Sequence, residues 1–246
     1  MDKIIAIIPA RMGSSRFPGK PLADINGKPM IQHVYERVKL CSKLDKVVVA
    51  TCDKIIFDTI LDMGGEAVMT SENHERASDR CAEALEFIEN SEKEKYEIVV
   101  MVQGDEPMTD PEMINESLVP FDDHSVQVVN LLAEIKTKEE FEDPNCIKVV
   151  CDKLMNAIYF SRLPIPFDQS NSHPYHGKQV CIIPFRRNFL LEYINLEPTM
   201  LEISESIDML RVIEHGYKVR MMPTKFETKA VDTIEDLQAV KALMSS

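Results

Sequence analysis

Short β-branched runs alternate with helix-periodic segments through the first half of this chain, and that alternation restricts the fold more than any other feature. Ile4 to Ile8, Lys46 to Thr51, Glu66 to Thr70 and Glu97 to Val102 read as strands, most of them apolar throughout, as strands covered on both faces are. Between them, Met30, Ile31, Val34 and Val38 recur at helical spacing behind Pro29. Asp53 to Met63 forms a second helical segment stopped by Gly64-Gly65, and Ser78 to Ile88 a third. The pattern predicts right-handed crossovers onto a parallel sheet, hence an α/β fold.

In such a fold ligands gather at the carboxyl ends of the strands, which directs attention to the loop after the first one. Arg11 to Lys20 carries three cations (Arg11, Arg16, Lys20), two glycines and two serines, a composition suited to holding phosphate with backbone N–H groups and positive charge. It is not a P-loop: five residues separate Gly13 from Gly19, and Pro21 rather than Ser or Thr follows Lys20. Nor does it contain the G-x-G-x-x-G of dinucleotide-binding folds. The loop is a candidate anion site of another kind, or else a solvated basic turn. Because the whole chain has 41 acidic against 28 basic residues and a net charge of −13, a small polyanion such as a nucleotide suits it better than nucleic acid or a membrane surface.

The fourth strand ends in Gln103-Gly104-Asp105-Glu106-Pro107, so Asp105 faces the same crevice. Mg²⁺ commonly takes one or two carboxylates and completes its shell with substrate phosphate and water, which makes Asp105 a metal-ligand candidate; the other reading is a cap for the helix beginning near Pro111. Asp232, just ahead of a Thr233/Asp236 capping box, is either a second metal ligand or an ordinary acid before a helix. His33, His124, His173, His176 and His215 share no ligand spacing, and the six cysteines include no C-x-x-C pair, so neither a histidine metal site nor a disulfide is expected.

The second half is less regular. Val126 to Ala133, Ile147 to Cys151, Ala157 to Arg162, Cys181 to Phe185 and Val219 to Met222 read as strands, and Thr137 to Phe141, Phe189 to Ile194 and Glu202 to Glu214 as helical. Leu163 to Lys178 is expected to be a long loop. A length of 246 residues suits one domain with a smaller lobe, and the absence of a leader or of a long apolar run predicts a soluble, cytoplasmic protein.

Six ordered motifs together resemble one family. Pro9-Ala10-Arg11 with Ser15 to Leu22, Asn26 to Ile31, Val102 to Pro107, Lys148-Val149-Val150, Tyr159 to Arg162, and Val231-Asp232-Thr233 are similar to those of the CMP-Kdo synthetases, the 3-deoxy-manno-octulosonate cytidylyltransferases of lipopolysaccharide synthesis. The resemblance runs nearly end to end. It implies a Rossmann-like nucleotidyltransferase fold with a mostly parallel central sheet, a single domain over 1–246 with a dimerisation lobe roughly within 134–186, and a homodimer acting on CTP and a Kdo-type sugar acid with Mg²⁺. It further implies that Arg11, Lys20 and Asp105 are catalytic. Ala10, Arg11, Ser14, Lys20, Ser78, Arg80 and Gln103 would hold the nucleotide, Asp105 and Asp232 the metal, and Arg162, Gln179, Phe185, Asp208 and Met209 the sugar.

Departures from the family pattern gather on the sugar side. Gln179 stands where a His is usual, Phe185 where a Tyr is usual and Met209 where a Gln is usual, while the nucleotide motifs are kept. A pocket that loses several donors should accept a different hydroxyl pattern. The expectation is therefore transfer to 8-amino-3,8-dideoxy-manno-octulosonate, with ordinary Kdo as the alternative and a catalytically silent nucleotide-binding module as a second one.

Overall fold

The structure is a computed structural model and describes residues 3–13, 17–169, 177–226 and 229–245. The chain divides into two compact units, one formed by residues 1–115 with 228–246 and the other by 116–227.

The first unit opens with β1 (Ile4–Ala10), the hairpin strands β2 (Asp24–Ile25) and β3 (Lys28–Pro29), and α1 (Met30–Lys39). It continues with β4 (Lys46–Thr51), α2 (Lys54–Asp62), β5 (Ala67–Met69), α3 (Ala77–Glu92), β6 (Ile98–Val102) and the start of α4 (Pro111–Leu118). Its strands pair in the order β5-β4-β1-β6, all parallel, with Ile7 opposite Val48 on one side and Met101 on the other. Strand order therefore reverses between β1 and β6, the switch point where open α/β sheets bind ligands. β1 and β6 are almost wholly buried, as their unbroken apolar sequences require.

The hairpin β2–β3 adds an element to those expected, although its signal is plain: Asn26 and Gly27 both take positive φ, 51° and 89°, the two-residue turn that Asn-Gly favours. Behind it, Ile25, Met30, Val231, Leu237 and Val240 form a buried cluster, with Phe17 and Met108 packed on it. That cluster docks the chain's last helix against the segment after the first strand.

The second unit holds β7 (Val128–Glu134), α5 (Lys138–Glu142), β8 (Lys148–Cys151), β9 (Ala157–Ser161), β10 (Gly177–Val180), β11 (Ile182–Arg186), α6 (Arg187–Tyr193), α7 (Met200–Glu205), α8 (Met209–Glu214) and β12 (Val219–Thr224). The chain then returns to the first unit in α9 (Ile234–Leu243). Here β7 pairs antiparallel with β10 and β11 and parallel with β12, and β10-β8-β9 continue antiparallel to an edge.

Two expectations change. The single helix over Glu202 to Glu214 is two, because Ser206 takes φ 54° and ends α7, and the chain restarts at Met209. The expected loop is shorter at its far end, since Gly177 and Lys178 already pair with β7 and β8.

Candidate active site

The site is assembled in the first unit at the carboxyl ends of β1 and β6. Arg11 follows β1 and is exposed. Met12 anchors the loop at both backbone groups: its N–H donates to the Asp53 carboxylate at 2.7 Å, and its C=O accepts from the Gly19 N–H at 3.1 Å. Ser14 lies outside the described residues. The chain leaves the loop through a 3₁₀ turn, Lys20–Leu22, closed by N–H bonds from Leu22 to Gly19 and from Ala23 to Lys20.

From that turn the Lys20 ammonium reaches Asp105 at 2.7 Å and Asp232 at 3.2 Å, partners 85 and 212 residues away in sequence. Two local features bring the aspartates together. Gly104 lets β6 end close against β1, where a Cβ would lie 3.1 Å from the Pro9 carbonyl and 3.2 Å from Ile31. The Val231 N–H donates to the Asp105 carbonyl at 2.9 Å, so the segment carrying Asp232 is tied to the one carrying Asp105.

The helices that follow these two acids are capped by neighbouring residues. Asp110 receives the Glu112 N–H at the start of α4, and Thr233 with Asp236 forms the capping box of α9. Both aspartates face the lysine. Burial alone would push the Lys20 ammonium down, but Asp105 and then Asp232 outweigh it and hold the pKa above the usual lysine value.

Beside this cluster is a cleft of about 210 Å³ whose walls include Ala10, Arg11, Arg76, Arg80 and Gln103. With Glu75 also in the wall, the cleft carries a positive excess on an acidic chain. Arg80 is 3% exposed; its Nη1 donates to Thr70 Oγ1 at 2.5 Å and to the Ser71 carbonyl at 3.2 Å, while its Nη2 is buried without a partner. The Ser78 hydroxyl, in the first turn of α3, is likewise buried and unpartnered. Buried donors without acceptors are costly, which sets these two apart from the hydrogen-bonded polar groups around them.

Three contributors escape the reading of the sequence. Asp53 reads there only as a helix start. His74, in the cleft wall, carries no motif; its Nε2 lies 2.6 Å from Glu83, which also accepts the Ser71 N–H at 2.8 Å. Burial would raise the Glu83 carboxyl, but the Ser71 N–H and His74 outweigh it and hold it below the usual range. The one available signal is position, since Asp53 and the 70–76 segment both come directly after strands of the parallel sheet.

The sugar-side residues all belong to the second unit. Arg162 donates to three carbonyls, of Glu205 at 2.6 Å, Pro144 at 2.9 Å and Ser206 at 3.2 Å. Gln179 donates to the buried Asn130 at 2.6 Å. Asp208 precedes α8, and its carbonyl accepts from the Tyr193 hydroxyl at 3.0 Å. Phe185 and Met209 are core residues, 0% and 1% exposed, and Phe185 stacks on Tyr193 at 5.8 Å between ring centroids. They fill volume here and present no face to a ligand.

A metal would find two carboxylates. Among the described residues no group of three or more acids, histidines or cysteines converges. Asp105 and Asp232, already gathered on one cation, are a donor set that Mg²⁺ would have to complete with substrate phosphate oxygens and water. No described helix is long and apolar enough to cross a membrane.

The cytidylyltransferase family profile matches residues 5–226. A 3-deoxy-manno-octulosonate cytidylyltransferase from Trichlorobacter lovleyi is 43% identical over 254 residues, covering 98% of each chain. The chain belongs to the 3-deoxy-manno-octulosonate cytidylyltransferase family. A relative of the same name from Fusobacterium nucleatum is 41% identical, over 97% of this chain and 95% of its own. The solved structure of a CMP:2-keto-3-deoxy-manno-octonic acid synthetase complexed with CTP shares 39% identity at a TM-score of 0.90, covering 99% and 98% of the two chains. A 4-diphosphocytidyl-2C-methyl-D-erythritol synthase from Anaerococcus prevotii, at 15% identity and a TM-score of 0.67, shares the fold. The expected α/β nucleotidyltransferase architecture is thus found, and membership in the family makes the chain a nucleotidyltransferase.

Proposed function

We propose that this enzyme is a cytoplasmic homodimer that transfers CMP from CTP to the anomeric hydroxyl of 3-deoxy-manno-octulosonate. The sugar oxygen attacks the α-phosphorus, the bond from that phosphorus to the α–β bridging oxygen breaks, and pyrophosphate leaves. One observation carries the reading: Lys20, Asp105 and Asp232 converge beside a cationic cleft at the strand-order switch point.

Arg11 and Lys20 hold the triphosphate, and Ala10, Ser78, Arg80 and Gln103 serve the cytidine, with the spare donors of Ser78 and Arg80 meeting acceptors of base or ribose. Asp105 and Asp232 hold Mg²⁺, which when bound neutralises charge gathering on the phosphates. Positioning and electrostatics suffice for in-line phosphoryl chemistry, so the enzyme needs no covalent nucleophile.

The choice of ordinary Kdo over its 8-amino analogue is supported by relatives named for Kdo at 41–43% identity. It is supported also by the burial of Phe185 and Met209, because exchanging core residues removes no donor from a pocket. Pyrophosphate release with each sugar acid tests it. Turnover on Kdo with little on the amino sugar is expected, and the reverse order overturns the assignment.

The homodimer is supported by the edge strand β9. It leaves Ile158 57% exposed, and the segment after it leaves Leu163 at 71% and Phe167 at 90%. Light scattering should give twice the chain mass, and Phe167→Asp should halve it.

A further inference from the structure

We infer that Lys20 is a placeholder cation: its ammonium occupies the two carboxylates that a divalent ion needs, and passes to the triphosphate when nucleotide and metal bind together. This rests on the proposed reading of the site as one for CTP with a divalent metal. The geometry behind it is one nitrogen serving both acids, Asp105 at 2.7 Å and Asp232 at 3.2 Å. The lysine side chain is only 12% exposed, so it is a built part of the cluster and not a surface arm.

A divalent ion seated on those oxygens would stand within a few ångströms of a fixed positive charge. The lysine must therefore move before the metal settles. Its backbone is pinned by the 3₁₀ turn, but a lysine stem has four rotatable carbons and can swing its charge without moving the turn.

The destination decides the energetics. A metal arriving alone would leave a mostly buried ammonium without its two partners, and stranding a buried charge is costly. A metal arriving with a triphosphate gives the ammonium new anionic partners. Metal and nucleotide must then assist one another, each raising the other's affinity by the same factor. The device keeps the carboxylates from loading metal before a nucleotide is present, and it holds Asp105 and Asp232 together in the meantime.

The test counts free Mn²⁺ by electron paramagnetic resonance during titration of the enzyme without nucleotide. Lys20→Met and Lys20→Gln, which remove the charge, should bind Mn²⁺ on the order of tenfold more tightly than the parent, whereas Lys20→Arg, which keeps it, should bind no better. Thermal unfolding checks that each variant is folded, and the two neutral variants stand in for one another. Neutral variants that bind Mn²⁺ no tighter than the parent overturn the placeholder. A separate pair of controls tests the reading beneath it: Asp105→Asn added to Lys20→Met should abolish the gain, and the parent should bind CTP by calorimetry. A gain that survives Asp105→Asn, or a parent that takes no CTP, overturns the site itself.

Discussion

The two units treat their buried cations in opposite ways. In the first, Arg80 keeps one guanidinium nitrogen unpartnered and Ser78 an unused hydroxyl, at the wall of a cleft and in the first turn of a helix that opens there. In the second, the cations spend their donors on the chain's own carbonyls and on one buried carboxylate. Lys148 donates to the carbonyls of Asp143, Cys146 and Arg162, at 2.7, 2.7 and 2.6 Å. Arg186 donates to those of Val126, Phe121 and Asp123. Arg211 holds Glu202 through two nitrogens, at 2.7 and 2.9 Å, and lies over the Tyr193 ring. A charge spent on the chain's own groups is committed to the fold, whereas one held in place with a donor to spare is prepared for the ligand proposed above. Charged residues in the two units should accordingly fail in different assays.

The largest effect belongs to the committed side. Arg211→Met leaves Glu202, only 4% exposed, without its counter-charge, and should cost about 3–5 kcal/mol in urea unfolding. CTP affinity of the folded fraction should be unchanged; a variant as stable as the parent would break the comparison. On the prepared side, Asp105→Asn should lower kcat/KM by about 10²–10³-fold, the scale for losing one preorganised electrostatic partner, with the melting temperature nearly unmoved. Turnover surviving that change would remove Asp105 from the machinery. Arg80→Lys keeps a charge but gives up the fork that leaves a nitrogen spare, so KM for CTP should rise about tenfold, or about 1.4 kcal/mol. Its unfolding free energy should fall by less than that of Arg211→Met.

The same division governs what could be read from the letters alone. The parallel half was legible because periodicity reports burial, and β1, β4 and β6 are buried on both faces. That Lys20 and Asp105 would share one crevice was legible because the segments carrying them follow the carboxyl ends of parallel strands. What periodicity cannot carry is partnership. That Asp232 would be tied to Asp105 through the Val231 N–H depends on a contact across 126 positions, and nothing local encodes it. Phe185 and Met209 misled for the complementary reason: comparison with a motif identifies which residue is unusual, but not whether its side chain faces a pocket or the core. The break at Ser206 was hidden because α7 and α8 share one helical pattern, and only the left-handed φ of 54° separates them.

Asp53 gives the smallest effect and the sharpest sign. It places a negative charge 2.7 Å from the backbone of a loop proposed to hold a triphosphate, an arrangement electrostatics alone would disfavour. Its contribution must then come from geometry, by fixing the Met12 N–H while the Met12 carbonyl takes the Gly19 N–H. Asp53→Ala removes the acceptor and should raise KM for CTP by the worth of one hydrogen bond, about 1 kcal/mol or roughly fivefold, leaving kcat less affected. Asp53→Asn keeps an acceptor oxygen at the same place and discards the charge. It should restore the parental KM, and at low ionic strength should fall below it, since the repulsion between carboxylate and phosphate is then least screened. Should Asn behave like Ala at every salt concentration, the residue acts through its charge, and the loop is held by something other than this bond.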